Sequence, residues 1–241
     1  MTLPRIAGLC AILAAIVGAV SAGLFLAAAD WHFERVLRPA LMIGAGSSRA
    51  QLLRWGALTD MLGYYLLLVP LFVCFPRELR RDRDGVAHVL GAAGVMYASF
   101  GAVAAVVLAS AAPPLMSAYE RSDAGARVGL KLAFRTVADA VATGVWQTLE
   151  VIPLGAWAIG TGLLVRSRSP GLGLVGVALG GVALIASATR MIQTGPLPEP
   201  LLMALAALFA VLFWVYVLWI ANWFLRREPR VGGPDDSRAR R

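Results

Sequence analysis

The chain has 241 residues, of which 59% are hydrophobic and only 15% charged, with a formal net charge of +8. A soluble domain carries about 25% charged residues, and the charges here are bunched between long apolar runs, which excludes one large aqueous core and fits membrane spans joined by polar loops. The positive balance does not point to nucleic acid, because the arginines stand at the ends of apolar runs, where they set topology and meet anionic lipid, and no nucleic-acid-binding motif accompanies them.

Six apolar stretches can be delimited, at about 6–29, 56–75, 86–112, 138–164, 170–192 and 200–225. Each has roughly the 20 residues a helix needs to cross about 30 Å of hydrocarbon. They are continuous rather than alternating, so they do not read as strands of an outer-membrane barrel. The expected fold is all-α: a polytopic membrane protein whose bundle of six transmembrane helices fills residues 1–227. A polar, Arg-rich segment over 228–241 reads as a disordered tail.

The first run has Arg5 before it and Ser21-Ala22 within it, as a signal peptide would. It is too long for an h-region and further spans follow, so it reads as an uncleaved first helix. Cys10 lies in this run and Cys74 in the second, both as small buried hydrophobes rather than a disulfide framework. The first loop carries Phe33, Val36, Leu37, Ala40 and Leu41 at near-helical spacing, which predicts a segment lying flat on the membrane surface. Ser48 with Gln51 three residues later reads as a capping box, so the second helix is expected to start before the membrane.

The second span is closed by Pro76 and the dense charges from Arg77 to Asp84, the third by Pro113-Pro114, and the fifth is separated from the sixth by Pro196, Pro198 and Pro200. With the N-terminus inside, thirteen Lys and Arg fall on the inner side and nine on the outer, and the 77–83 loop and the tail carry most of the bias. Both ends are therefore expected in the cytoplasm. Trp31 and Trp55 then mark the outer boundary and Trp223 the inner one.

The pointer to activity is Glu150, a carboxylate near the middle of the fourth run. Asp139, Thr143, Gln147 and Glu150 are spaced by four, four and three, which on an α-helix places all four on one face. Such a track can line a water-accessible cavity with Glu150 at its floor, binding a cation or carrying a proton. The alternative is that these side chains bond neighbouring helices, each contact worth about 0.6 kcal/mol. Asp60, near the outer end of the second span, and Arg190, near that of the fifth, can pair with Asp139 or Arg135 and form an outer vestibule if they face inward; the favoured reading is that Arg190 snorkels to the interface. Tyr64, Tyr97 and Tyr216 are further hydroxyls within reach of a cavity.

Gly171-Leu172-Gly173-Leu174-Val175-Gly176 matches the dinucleotide fingerprint, but no βαβ unit surrounds it. With Gly180 it supplies Gly176-x-x-x-Gly180, a close helix-packing motif. His32 and His88 fall at opposite membrane boundaries, roughly 30 Å apart, so they cannot share a metal or haem. There is no HExxH, GxSxG or Cys/His cluster, and no cofactor, metal or catalytic residue is expected.

The run Leu58-Thr59-Asp60-Met61-Leu62-Gly63-Tyr64-Tyr65-Leu66-Leu67-Leu68-Val69-Pro70 resembles a segment of an uncharacterised family of bacterial six-helix membrane proteins. Trp146-Gln147-Thr148-Leu149-Glu150, the Pro113-Pro114 break and the spacing of the spans are similar too. The resemblance implies a compact six-helix bundle in a bacterial inner membrane and brings no substrate, cofactor or site residue with it.

Two functions from different classes follow. One is a small permease-like or ion-binding membrane protein, with Glu150 as the binding or protonatable group and Gln147, Thr143 and Asp139 lining its approach. No internal repeat of the transporter kind is visible, and homodimerisation through glycine-bearing faces would make up the number of spans. The other is a non-catalytic scaffold or assembly subunit whose polar stripe docks another helix. An enzyme acting on lipid would need a head group near Asp60, Asp139 and Arg190.

Overall fold

A computed structural model describes residues 2–79, 84–192 and 198–226. Within these, every regular element is helical. The expected tail over 228–241, the charged run over 80–83 and Pro196 lie outside the described residues. Helix α1 (Leu3–Ala28) leads into a short α2 (Phe33–Leu37) and a 3-10 stretch, Pro39–Ala45. The second span joins α3 (Ser47–Asp60), a π-helical turn Met61–Tyr65, a 3-10 turn Leu66–Leu68 and α4 (Val69–Leu79). Next come α5 (Asp84–Arg121), α6 (Ala124–Asp139), a π-helical stretch Ala140–Leu149 and α7 (Val151–Val165), then α8 (Pro170–Ile192) and α9 (Glu199–Arg226).

Six continuous helical segments are long and apolar enough to cross a bilayer: Leu3–Ala28, Ser47–Leu79, Gly85–Arg121, Ala124–Val165, Pro170–Ile192 and Met203–Arg226. The protein is a multi-pass membrane protein. Gly8 of α1 lies against Ala221 and Leu225 of α9, and Gly18 against Trp214, so these two helices run antiparallel. Arg168 Nη1 donates to the Glu78 carbonyl at 3.1 Å. The two ends of the bundle and the connections after α4 and α7 therefore share one face, here the terminal face. The α2 loop and the α5–α6 turn lie on the other.

Helix α1 shows how the sequence selects its inner side. Ala7, Ala11, Ala14, Gly18, Ser21, Phe25 and Ala28 are buried and recur every three or four residues, a seam of period 3.5. Leu9, Leu13, Ile16 and Val20 are exposed on the other side. In a bilayer large apolar side chains gain nothing by leaving lipid, so small residues that let backbones approach take the interface. The pair α7–α8 applies the same rule at its limit. A Cβ at Gly162 would lie 2.9 Å from the Gly173 carbonyl oxygen, and one at Gly180 would lie 2.6 Å from that of Gly155. The fingerprint-like glycines are thus packing residues, with Gly176 seated on the Tyr216 ring.

Two buried clusters result. One, toward the terminal face, stacks Phe72, Phe75, Trp157, Tyr216 and Phe224 edge to face. The other joins Phe25, Met42, Ile43, Leu53, Met116 and Phe134 toward the opposite face. Trp146 packs against both.

Three expectations are corrected. Pro113-Pro114 does not end the third span: α5 runs through it to Arg121. Two lost donors and the local steric penalty are outweighed because Ala112 and Met116 are buried in the second cluster. At 38 residues α5 is about 57 Å long, far beyond the ~30 Å of hydrocarbon, so part of it extends past the bilayer. The first loop is more than a surface segment: Pro39, Met42 and Ile43 turn into the bundle and are buried, while α2 itself buries no residue. Ser48 is not a cap. Helix α3 starts one residue earlier, after Gly46 at φ 89°, and the Ser47 N–H is held by Glu120 Oε2 at 2.9 Å.

Candidate functional site

The two acidic residues of the membrane interior stand at the two interruptions of α-helical geometry. Asp60 ends α3, where the π turn Met61–Tyr65 begins. Glu150 follows the π stretch Ala140–Leu149 and opens α7, with its N–H on the Val145 carbonyl at 3.0 Å. A π turn reaches i+5 instead of i+4, widening the helix and leaving carbonyls to be met by other donors. Thr148 Oγ1 donates to the Thr143 carbonyl at 2.7 Å, and Ser187 Oγ of α8 donates to the Thr148 carbonyl at 3.1 Å.

Both π segments line one cavity of about 380 Å³. Its wall takes residues from all six spans, and Phe33, Val36 and Leu37 of α2 cover the end away from the terminal face. Asp60 and Glu150 lie on it together with Ser21, Gln147 and Arg190. The rest is largely aromatic or aliphatic: Phe25, Tyr64, Tyr65, Tyr97, Trp146 and Phe209 carry most of the bulk. A volume near the lower end of the ligand-pocket range, with a few convergent polar groups on an apolar wall, describes a small-molecule site.

Glu150 is only 5% exposed. Its Oε1 accepts from the Tyr65 hydroxyl at 3.1 Å, whereas its Oε2 is buried with no hydrogen-bond partner. Gln147, one turn earlier, donates through Nε2 to the Leu37 carbonyl at 3.0 Å, and its Oε1 is likewise buried and unpartnered. Ser21 Oγ donates to the Gly56 carbonyl at 3.0 Å and lies 3.5 Å from Asp60 Oδ1. Gly101 of α5 makes the room: a Cβ there would run into the Tyr65 ring and Glu150 Oε2. Trp146 Nε1 bonds the Gly101 carbonyl at 3.4 Å and its ring meets Phe25 edge-on.

Of the six candidates from the sequence, Glu150, Gln147, Asp60 and Arg190 come together on the cavity wall, and Asp139 and Thr143 do not. The π stretch is the reason. Four-residue spacing aligns side chains only at 3.6 residues per turn, and the wider turn rotates Asp139 and Thr143 away from Gln147 and Glu150. Asp139 instead pairs with Arg135 on its own helix at 3.3 Å, and Thr143 is exposed. Arg190, half-buried on the wall, makes no ion pair among the described residues and feels the like charge of Arg38. Tyr64 and Tyr97 line the cavity, while Tyr216 is buried elsewhere against Thr161 Oγ1 at 2.8 Å. Tyr65, Ser21 and Trp146 are additions that spacing did not disclose. Tyr65 had no signal either: five residues after Asp60 is off its face on an α-helix, and the π turn Met61–Tyr65 brings both to the wall.

The covering loop is held at both ends. Asp30 and Trp31 each have φ 61°, a left-handed conformation costly for side-chain-bearing residues. Arg49 fixes that turn, with Nη2 on Asp30 Oδ1 at 2.6 Å, and this guanidinium holds the Asp30 carboxyl below its usual value. Among the described residues no group of three or more His, Cys, Asp or Glu is placed to hold a metal ion. Comparison of the chain with family models, with curated proteins and with solved structures finds no match.

Proposed function

We propose that this protein binds a small cationic solute or a proton in its intramembrane cavity, with Glu150 as the binding group, and carries it across the bilayer as a small permease. The observation that supports the reading is the orphaned Oε2 of Glu150 on a cavity wall. A carboxylate at a helix centre costs about 2.5–3.5 kcal/mol in a membrane, and one interhelical hydrogen bond returns about 0.6 kcal/mol. Tyr65 alone does not offset that, so a proton or cation completes the site. Glu150 is buried within the bundle and Gln147 is partly buried with its Nε2 on the Leu37 carbonyl, which favours a cavity over the scaffold reading in which they dock another helix.

We place the protein in a bacterial inner membrane with both ends cytoplasmic, on the arginine bias and on its likeness to the uncharacterised six-helix family. The cavity is then covered by α2 on the outer side. The test is proton uptake by proteoliposomes under an imposed potential. Glu150→Gln should abolish a flux that the wild type supports, with equal insertion, and Asp139→Asn should leave it intact. Wild-type flux in Glu150→Gln would refute the reading.

A further inference from the structure

We propose that the cavity receives a protonated amine with a small apolar body, its ammonium hydrogens bonded to Glu150 Oε2 and Gln147 Oε1. This rests on the reading of Glu150 as the binding group and names the ligand's chemistry. Three observations lead to it.

Among the described residues the buried, unpaired side-chain polar atoms are of one kind. Glu150 Oε2 and Gln147 Oε1 are both acceptors, buried and without partners, on residues three apart that line the cavity, and a ligand meets them when these side chains turn toward it. A ligand that donates satisfies both while Glu150 stays ionised, and an ammonium offers up to three N–H groups together with the charge that an ionised Glu150 requires. The space far exceeds a bare ion: about 380 Å³ against the ~30 Å³ share of one water in the liquid. The remaining wall is aromatic on several sides, with Phe25, Tyr64, Tyr97, Trp146 and Phe209, which suits an apolar body and stabilises a cation near ring faces. The wall carries two carboxylates, Asp60 and Glu150, against one guanidinium, Arg190, a balance that suits a single added positive charge; Asp60 Oδ1 has Ser21 Oγ at 3.5 Å, which leaves Glu150 Oε2 as the unpartnered carboxylate oxygen.

The test is calorimetric titration of the purified protein in lipid nanodiscs with three probes that share a phenyl ring: phenethylammonium; benzyltrimethylammonium, which has the charge without N–H donors and is bulkier at nitrogen; and phenethyl alcohol, which matches the first in shape and lacks the charge. Phenethylammonium should bind about tenfold or more tighter than either. Glu150→Gln should weaken it by a similar factor, and Gln147→Leu, which leaves the carboxylate in place, should weaken it several-fold while sparing binding of benzyltrimethylammonium. Equal binding of the quaternary ion or of the alcohol would overturn the proposal. So would a preference for phenylalanine, whose carboxylate would draw the ligand toward Arg190. Glu150-dependent proton flux without amine binding would overturn the amine assignment alone; loss of that dependence would remove the underlying reading as well.

Discussion

Gly101 shows how one missing methyl group sets the chemistry of the cavity. The Tyr65 ring and the Glu150 carboxylate occupy the volume where its side chain would be, so the hydrogen bond between them depends on glycine at that point. Gly101→Ala should displace both, costing about 1–3 kcal/mol of stability and most of the ligand affinity. Thermal unfolding in detergent and the amine titration measure the two effects. Tyr65→Phe separates them, since it removes only the donor to Oε1: the fold should hold while affinity changes. At the covering loop, Asp30 has its carboxyl lowered by Arg49. The pair's contribution is full above the ordinary Asp value of 3.8 and is lost as pH falls through the lower folded-state value. Protection factors of the amides over residues 31–46, which correct for the intrinsic pH dependence of exchange, should therefore fall on acidification below that point, and Arg49→Met should abolish that fall.

At the scale of elements, the close pair α7–α8 and the two π segments carry the architecture. Gly162→Val would drive a side chain into the backbone of α8, whereas Gly181→Val meets nothing within 4 Å. The first should lower the melting midpoint by roughly 5 °C or more and the second should leave it unchanged. Hydropathy made the six spans legible, because a run of about 20 apolar residues has few other uses. The ends of the spans were less so. Pro113-Pro114 looks like a stop on local grounds, and only the burial of Ala112 and Met116 keeps α5 helical through it. The polar stripe was half legible for a related reason. Spacing is converted to a helix face by assuming 3.6 residues per turn, and Ala140–Leu149 departs from that value with no signature in its residues. Glu150 and Gln147, beyond most of the departure, kept their expected relation; Asp139 and Thr143 lost it. Asp60 and Arg190 reach the cavity through packing of different spans, which no local pattern encodes.

Across the whole molecule, the six spans return both ends of the bundle to one face and raise the α5–α6 hairpin from the other. The chain's single lysine, Lys131, lies exposed on that hairpin. A membrane-impermeant amine reagent applied to intact cells should label Lys131 if the hairpin is external, while the terminal amine reacts only after lysis. The opposite result would invert the orientation and leave the bundle as it is. The arrangement also gives the cavity its polarity: α2 covers it on the hairpin side, and the aromatic cluster of Phe72, Trp157 and Tyr216 fills the bundle toward the terminal face. A solute crossing by the proposed route has to pass both, and the covering loop, held by Arg49 and Gln147, is the smaller barrier.

The central claim is that Glu150 is a reachable, ligand-binding carboxyl inside the membrane. A hydrophobic carbodiimide, which adds to protonated carboxyl groups, puts this to direct trial when the modified sites are read by mass spectrometry. Adduct should form at Glu150, and phenethylammonium should slow it in proportion to its occupancy of the cavity. Glu150 left unmodified, or modified at a rate the amine does not alter, would contradict the account.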